Sequence, residues 1–137
     1  MKKFIKILIL LAFLLFLTIL YLNKSKIPFS LFQITSGSMI PEIQVGEIVG
    51  IIHRQEYKEN DIITYQVNNT YFITHRIVKL INDGYITKGD ANNVEDKEIV
   101  KKEQIKGKVI FHSKALGKVF QYKHYISIIL ILLLMLI

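Results

Sequence analysis

The chain has 137 residues, 51% of them hydrophobic and 21% charged, with a formal net charge of +7. That length suits one domain of about 100 residues plus terminal segments. Recurring apolar and aromatic residues exclude intrinsic disorder, and the absence of cysteine excludes a disulfide scaffold or a thiolate metal site.

The first element is Phe4–Leu22 (FIKILILLAFLLFLTILYL), which holds one charge, Lys6. As a helix it is about 28 Å long, close to the ~30 Å hydrocarbon core of a bilayer. The stem of Lys6 is long enough to carry its amine out to the headgroups. A cleaved leader has an apolar region of ~7–15 residues followed by a small-x-small site. Here Tyr21-Leu22-Asn23-Lys24-Ser25-Lys26 follows instead, so an uncleaved transmembrane anchor over 4–22 is expected. Lys2, Lys3 and Lys6 precede Lys24 and Lys26. The positive-inside bias therefore puts 1–3 in the cytoplasm and a domain of residues 23–125 outside it.

Between the ends, helical periodicity is scarce and short β-rich runs dominate. Val45–Ile52, Asp61–Val67, Tyr71–Leu80, Gly84–Lys88 and Lys106–Phe111 are rich in Ile, Val, Thr and aromatics. Asn68-Asn69 and Asn82-Asp83-Gly84 read as hairpin loops. The fold class is mainly β: a small, coiled antiparallel sheet or partial barrel. Val94–Gln104 mixes charges of both signs and reads as a solvated loop or short helix.

At the far end, Ile126–Ile137 (ISIILILLLMLI) is uncharged and about 18 Å long as a helix, too short to span alone. It is too apolar all round for an exposed helix. A C-terminal membrane segment is expected over 126–137, dipping into one leaflet, pairing with a partner's helix, or forming part of a span. Residues 23–125 carry 15 of the 18 Lys and Arg and all 11 Asp and Glu, leaving +4 there with no basic stripe interleaved with aromatics. With both ends in membrane, this charge suits anionic lipid rather than nucleic acid.

Three motifs carry chemistry. In Thr35-Ser36-Gly37-Ser38-Met39-Ile40-Pro41, Gly37 frees the backbone for a positive φ or a close approach, and a serine hydroxyl can be presented on a turn. A plain polar turn is the competing reading. In Tyr71–Val78, strand alternation puts Tyr71, Ile73, His75 and Ile77 on one face. A histidine in that apolar row needs a partner: either some core acceptor, or Ser38, whose hydroxyl is a weak nucleophile until a base takes its proton. In Lys88-Gly89-Asp90-Ala91-Asn92-Asn93-Val94-Glu95-Asp96, a tight Asx-type loop is the plain reading. The functional one makes Asp90 or Asp96 the carboxylate that orients the imidazole.

Taken in order, Ser-Gly-Ser-Met-x-Pro, Thr-His-Arg-Ile and Lys-Gly-Asp-x-Asn-Asn…Asp resemble type I signal peptidase. The resemblance is to the branch with a histidine base, found in the endoplasmic reticulum, archaea and some spore-forming bacteria. It covers roughly residues 4–111, with Glu47 where aspartate is more typical and Asn60 where glycine is more usual. It implies a membrane-bound serine endopeptidase that cleaves preproteins after a small-x-small sequence, without metal or cofactor. Ser38 would be the nucleophile, His75 the general base and Asp96 the acid, with Asp90 bracing the loop or sharing the orienting task. The Ser38 backbone N–H and the Ser36 hydroxyl would form the oxyanion hole. Implied partners are signal-peptide-bearing preproteins, the lipid bilayer, and the translocon or an accessory membrane subunit. The implied location is the plasma membrane, or the endoplasmic-reticulum membrane with a lumenal domain in a eukaryote. Phe29–Ile34 would contact lipid or signal peptide, or simply pack on the sheet. His53, His112 and His124 read as isolated fillers.

Two rivals stand beside this. One is a related self-cleaving or maturation peptidase with a lysine base, for which Lys79, on the face of His75 by alternation, is the candidate. The other is a membrane-anchored assembly protein without activity.

Overall fold

A computed structural model of the chain describes residues 2–22, 28–68, 70–123, 125, 128, 129 and 132. The β-rich runs form one antiparallel sheet from β1 (Phe29–Gln33), β2 (Ile48–Ile52), β3 (Ile62–Val67), β4 (Tyr71–Ile81), β5 (Gly84–Lys88) and β6 (Ile105–Ser113). Their spatial order is β1-β2-β6-β3-β4-β5. The mainly β, antiparallel expectation holds, and all five expected strands are present. The sheet is open, with β1 and β5 at its edges.

The sixth strand, β1, lies inside the apolar region Phe29–Ile34. Its two half-buried residues, Phe29 and Phe32, are three apart, so the period-two signal of a strand is missing from FSLFQ. Register comes from pairing with β2, Phe29 opposite Ile52 and Gln33 opposite Ile48. Asn60 has φ 71°, a left-handed conformation that asparagine tolerates better than most residues after glycine.

Two apolar clusters fill the core. Ile34, Met39, Ile43, Val49 and Ile51 form one, which fixes the segment carrying Ser38 against β2. Tyr57, Ile63, Tyr65, Val67, Ile77, Val100 and Ile105 form the other, beneath β3 and β4.

Among the described residues, one α-helix precedes the strands in the chain and another follows them. Helix α2 (Lys114–Gln121) was not expected, because the sequence KALGKVFQ is short and holds a glycine, a poor helix former. Ser113 caps it, its hydroxyl accepting from the Leu116 N–H at 3.3 Å. Gly117 is buried there against Gly46, so close that any Cβ would strike the Gly46 carbonyl oxygen. Helix α1 (Lys2–Leu22) coincides with the expected anchor, and its residues 4–19 are all exposed. Among the described residues, no helix is long and apolar enough to cross a membrane. The C-terminal segment 126–137 lies outside the described residues apart from 128, 129 and 132, and so does His124.

Candidate active site

Ser38, His75 and Asp96 come from three separate parts of the chain and meet in one line. Ser38 sits in the turns that follow β1. These are held from below by buried Met39 and Ile43, with the Ile43 N–H donating to the Met39 carbonyl at 2.9 Å. Gly37 does not use a positive φ; its carbonyl accepts from the Ile40 N–H at 3.1 Å to shape the turn. His75 lies in β4 opposite Ile63 of β3, and it is buried. Asp96 follows the loop after β5.

The His75 imidazole joins the other two. Its Nε2 is 3.1 Å from the Ser38 Oγ, and its Nδ1 is 2.6 Å from Oδ2 of Asp96. A carboxylate only accepts hydrogen bonds, so the Nδ1–H donates to Asp96 and Nε2 is left to accept the Ser38 proton. The Ser36 Oγ is 3.3 Å from the Ser38 Oγ. Since the Ser38 proton points to His75, the Ser36 hydroxyl is the donor in that contact.

Asp90 has a different partner. Arg76, the next residue along β4, points away from His75 and grips Asp90 with two bonds, Nε to Oδ1 at 2.9 Å and Nη2 to Oδ2 at 2.7 Å. The Asp90 hydrogen bond raises the guanidinium above its ordinary range. The Asp90 carboxylate thus pairs with Arg76, while that of Asp96 pairs with His75. The loop that carries Asp90 reaches back to the nucleophile's backbone, where the Ala91 N–H donates to the Ser38 carbonyl at 2.8 Å. Gly89 permits this approach, because a Cβ there would lie 2.6 Å from the Ser38 carbonyl oxygen.

Lys79 does not share the site. The β4–β5 register shifts between Ile77 and Lys79, which ends strict alternation, and Lys79 is exposed. His112 is not isolated either: its Nδ1 is 2.6 Å from Oε2 of buried Glu47. His53 is exposed.

Beside Ser38 lies an open cleft of about 510 Å³. Phe32, Ile34, Thr35, Tyr71, Phe72 and Ile73 line it together with Ser38, Met39 and His75. Phe32 and Phe72 pack across it with ring centroids 4.8 Å apart.

Two residues of the site escaped the sequence reading. Thr87 in β5 donates its hydroxyl to Oδ2 of Asp96 at 2.6 Å, and the Tyr65 hydroxyl of β3 donates to the same oxygen at 3.3 Å. Burial pushes the Tyr65 phenol well above its ordinary range. A threonine and a tyrosine inside β-rich runs look like ordinary strand residues, and no motif marks them.

No family model matches the chain. Among curated proteins it is similar to the "Signal peptidase complex catalytic subunit SEC11" of Colletotrichum graminicola, 30% identical over 114 residues, covering 77% of this chain and 64% of that protein. The SEC11 protein of Candida dubliniensis is 33% identical over 99 residues, covering 68% of this chain and 58% of the relative. "Signal peptidase I W" of Bacillus subtilis is 32% identical over 85 residues, covering 57% of this chain and 45% of the relative. The chain thus spans between 45% and 64% of the length of these three relatives. The similarity is thus to eukaryotic and bacterial signal peptidases alike, the family that the three sequence motifs resemble.

Proposed function

We propose that the chain is a membrane-bound serine endopeptidase that removes N-terminal signal peptides from preproteins after a small-x-small site. The observation that carries this reading is the His75 imidazole placed between the Ser38 hydroxyl and the Asp96 carboxylate. The Ser38 Oγ attacks the scissile carbonyl carbon while its proton passes to Nε2 of His75. Asp96 holds the ring in the tautomer that can accept that proton and stabilises the imidazolium that forms. His75 then returns the proton to the leaving amine, and water releases the acyl group by the same base catalysis.

The oxyanion of the tetrahedral intermediate falls to the Ser38 N–H, which has no backbone partner among the described residues, and to the Ser36 hydroxyl. One such donor is worth about 3–4 kcal/mol in the transition state. The cleft supports an extended substrate. It opens on β1, an edge strand that among the described residues pairs only with β2, and an extended peptide can add there by main-chain hydrogen bonds.

The anchor over 4–22 and the C-terminal segment 126–137 belong to the same proposal. The apolar sequences support it, and Ser38 follows Leu22 by 16 residues, which keeps the serine near the membrane surface where a signal peptide ends. The site then faces away from the cytoplasm, at the plasma membrane or in the endoplasmic-reticulum lumen. The SEC11 relatives are named as subunits of a complex, which supports an accessory membrane subunit as partner beside the preproteins and the bilayer.

The test is cleavage of a preprotein by the full chain in lipid or detergent. Wild type is expected to process it and Ser38→Ala to fail, and equal processing by both rejects the peptidase reading. Lys79→Ala is expected to cleave like wild type while His75→Ala does not. The reverse would move the base to Lys79.

A further inference from the structure

Resting on the peptidase reading, we infer that Thr87, supported by Tyr65, is the positioning residue that holds Asp96 in line with His75. The inference starts from where Asp96 sits. It lies in an irregular stretch after β5, outside any helix or strand, so nothing in its local backbone fixes its carboxylate. Thr87 supplies two attachments. Its carbonyl accepts the Asp96 N–H at 2.8 Å, and its hydroxyl donates to Oδ2 of Asp96 at 2.6 Å. Backbone and side chain of one residue thus clamp backbone and side chain of the other.

The oxygen that Thr87 grips is the one that accepts from Nδ1 of His75. Tyr65 completes the arrangement. Its hydroxyl is 3.2 Å from the Thr87 Oγ1 and 3.3 Å from Oδ2 of Asp96. Thr87 spends its single proton on Asp96, so the Tyr65 proton is shared between the Thr87 oxygen and the carboxylate.

The residue types point the same way. Thr87 is fully buried opposite Ile77, which is fully buried too, and valine would fill the same volume with no polar group to satisfy. Tyr65 lies among Ile63, Val67 and Ile77, where phenylalanine would serve packing alone. In both positions the extra oxygen goes to the acid, and both come from strands that flank or pair with β4. The sheet itself thereby sets the geometry of the loop acid.

The test uses the full chain in detergent, with steady-state cleavage and the far-downfield proton resonance of the His75 Nδ1–H as separate readouts. Thr87→Val is expected to lower kcat about 10- to 100-fold, the range spanned by a hydrogen bond to a charged group, with KM unchanged. Thr87→Ser is expected to restore kcat to near the wild-type value, and the proton resonance is expected to move in Thr87→Val but not in Thr87→Ser. A Thr87→Val enzyme with wild-type kcat overturns the inference, as does a Thr87→Ser enzyme no better than Thr87→Val. Should Thr87→Val not fold, Tyr65→Phe decides: a lowered kcat and a moved resonance support the network, and wild-type values of both overturn it. Processing by Ser38→Ala equal to wild type would instead reject the peptidase reading, while the resonance, which requires no turnover, still tests the Asp96 network.

Discussion

Arg76 grips Asp90 through two hydrogen bonds of 2.9 and 2.7 Å, immediately beside the histidine that takes the loop's other acid, Asp96. Consecutive strand residues point to opposite faces, so one dipeptide of β4 fastens the loop after β5 at two places. One of them carries the proposed chemistry and the other holds the loop still.

The two acids should therefore behave differently on substitution. Asp96→Asn is expected to fold normally and to lower kcat about 10³- to 10⁴-fold, because an amide does not hold the imidazole in the required tautomer. Asp90→Asn leaves Arg76 without its charged partner and is expected to destabilise the fold by about 1–3 kcal/mol, with the smaller loss of kcat. Chemical denaturation alongside cleavage kinetics separates them. An Asp90→Asn protein with full stability and an Asp96-like loss of kcat would exchange their roles.

Gly117→Ala tests whether propensity or packing governs α2. Alanine improves helix propensity by about 1 kcal/mol, but its methyl would strike the Gly46 carbonyl. Overpacking of this kind costs about 1–3 kcal/mol, so the variant is expected to melt lower than wild type. A higher melting temperature would show that α2 does not pack on the Gly46–Glu47 segment in solution.

Tyr65 predicts a pH dependence at the alkaline end. Its pKa is raised by burial in the folded state relative to the ordinary value near 10. The unfolded chain therefore binds fewer protons there, and stability falls with rising pH. The contribution is fully present below pH 10 and is lost as pH climbs through the folded-state value. Ultraviolet titration of the seven tyrosines should show a late-ionising phenol that is absent from Tyr65→Phe. The stability of that variant should decline less steeply above pH 10. A Tyr65→Phe protein that loses an ordinary phenol and keeps the late-ionising one would place Tyr65 in contact with solvent.

Much of the site was legible in the sequence because its residues sit in short motifs. Ser38 lies in a Ser-Gly-Ser turn, His75 interrupts an apolar strand face, and Asp90 and Asp96 share one Asn-rich loop. The strands of the middle segment were legible for a similar reason, since β-branched and aromatic runs bounded by Asn and Gly report on local conformation. Strand β1 and helix α2 were not legible. The first is an edge strand whose half-buried residues do not alternate, and the second is a short helix with a glycine chosen for contact rather than propensity.

The sequence by itself determined the β-rich character of the domain, the apolar end segments and the order of serine, histidine and acids along the chain. The motif order already pointed to Asp96 as the acid, and only the tertiary structure decided that Asp90 pairs with Arg76 rather than sharing His75. That choice depends on the path of the loop after β5 relative to β4, a relation between segments that pair across the sheet and that no local pattern encodes. The same holds for Thr87 and Tyr65. As strand residues they carry no signal, and their hydroxyls acquire a purpose only when antiparallel pairing brings β3 and β5 to either side of His75.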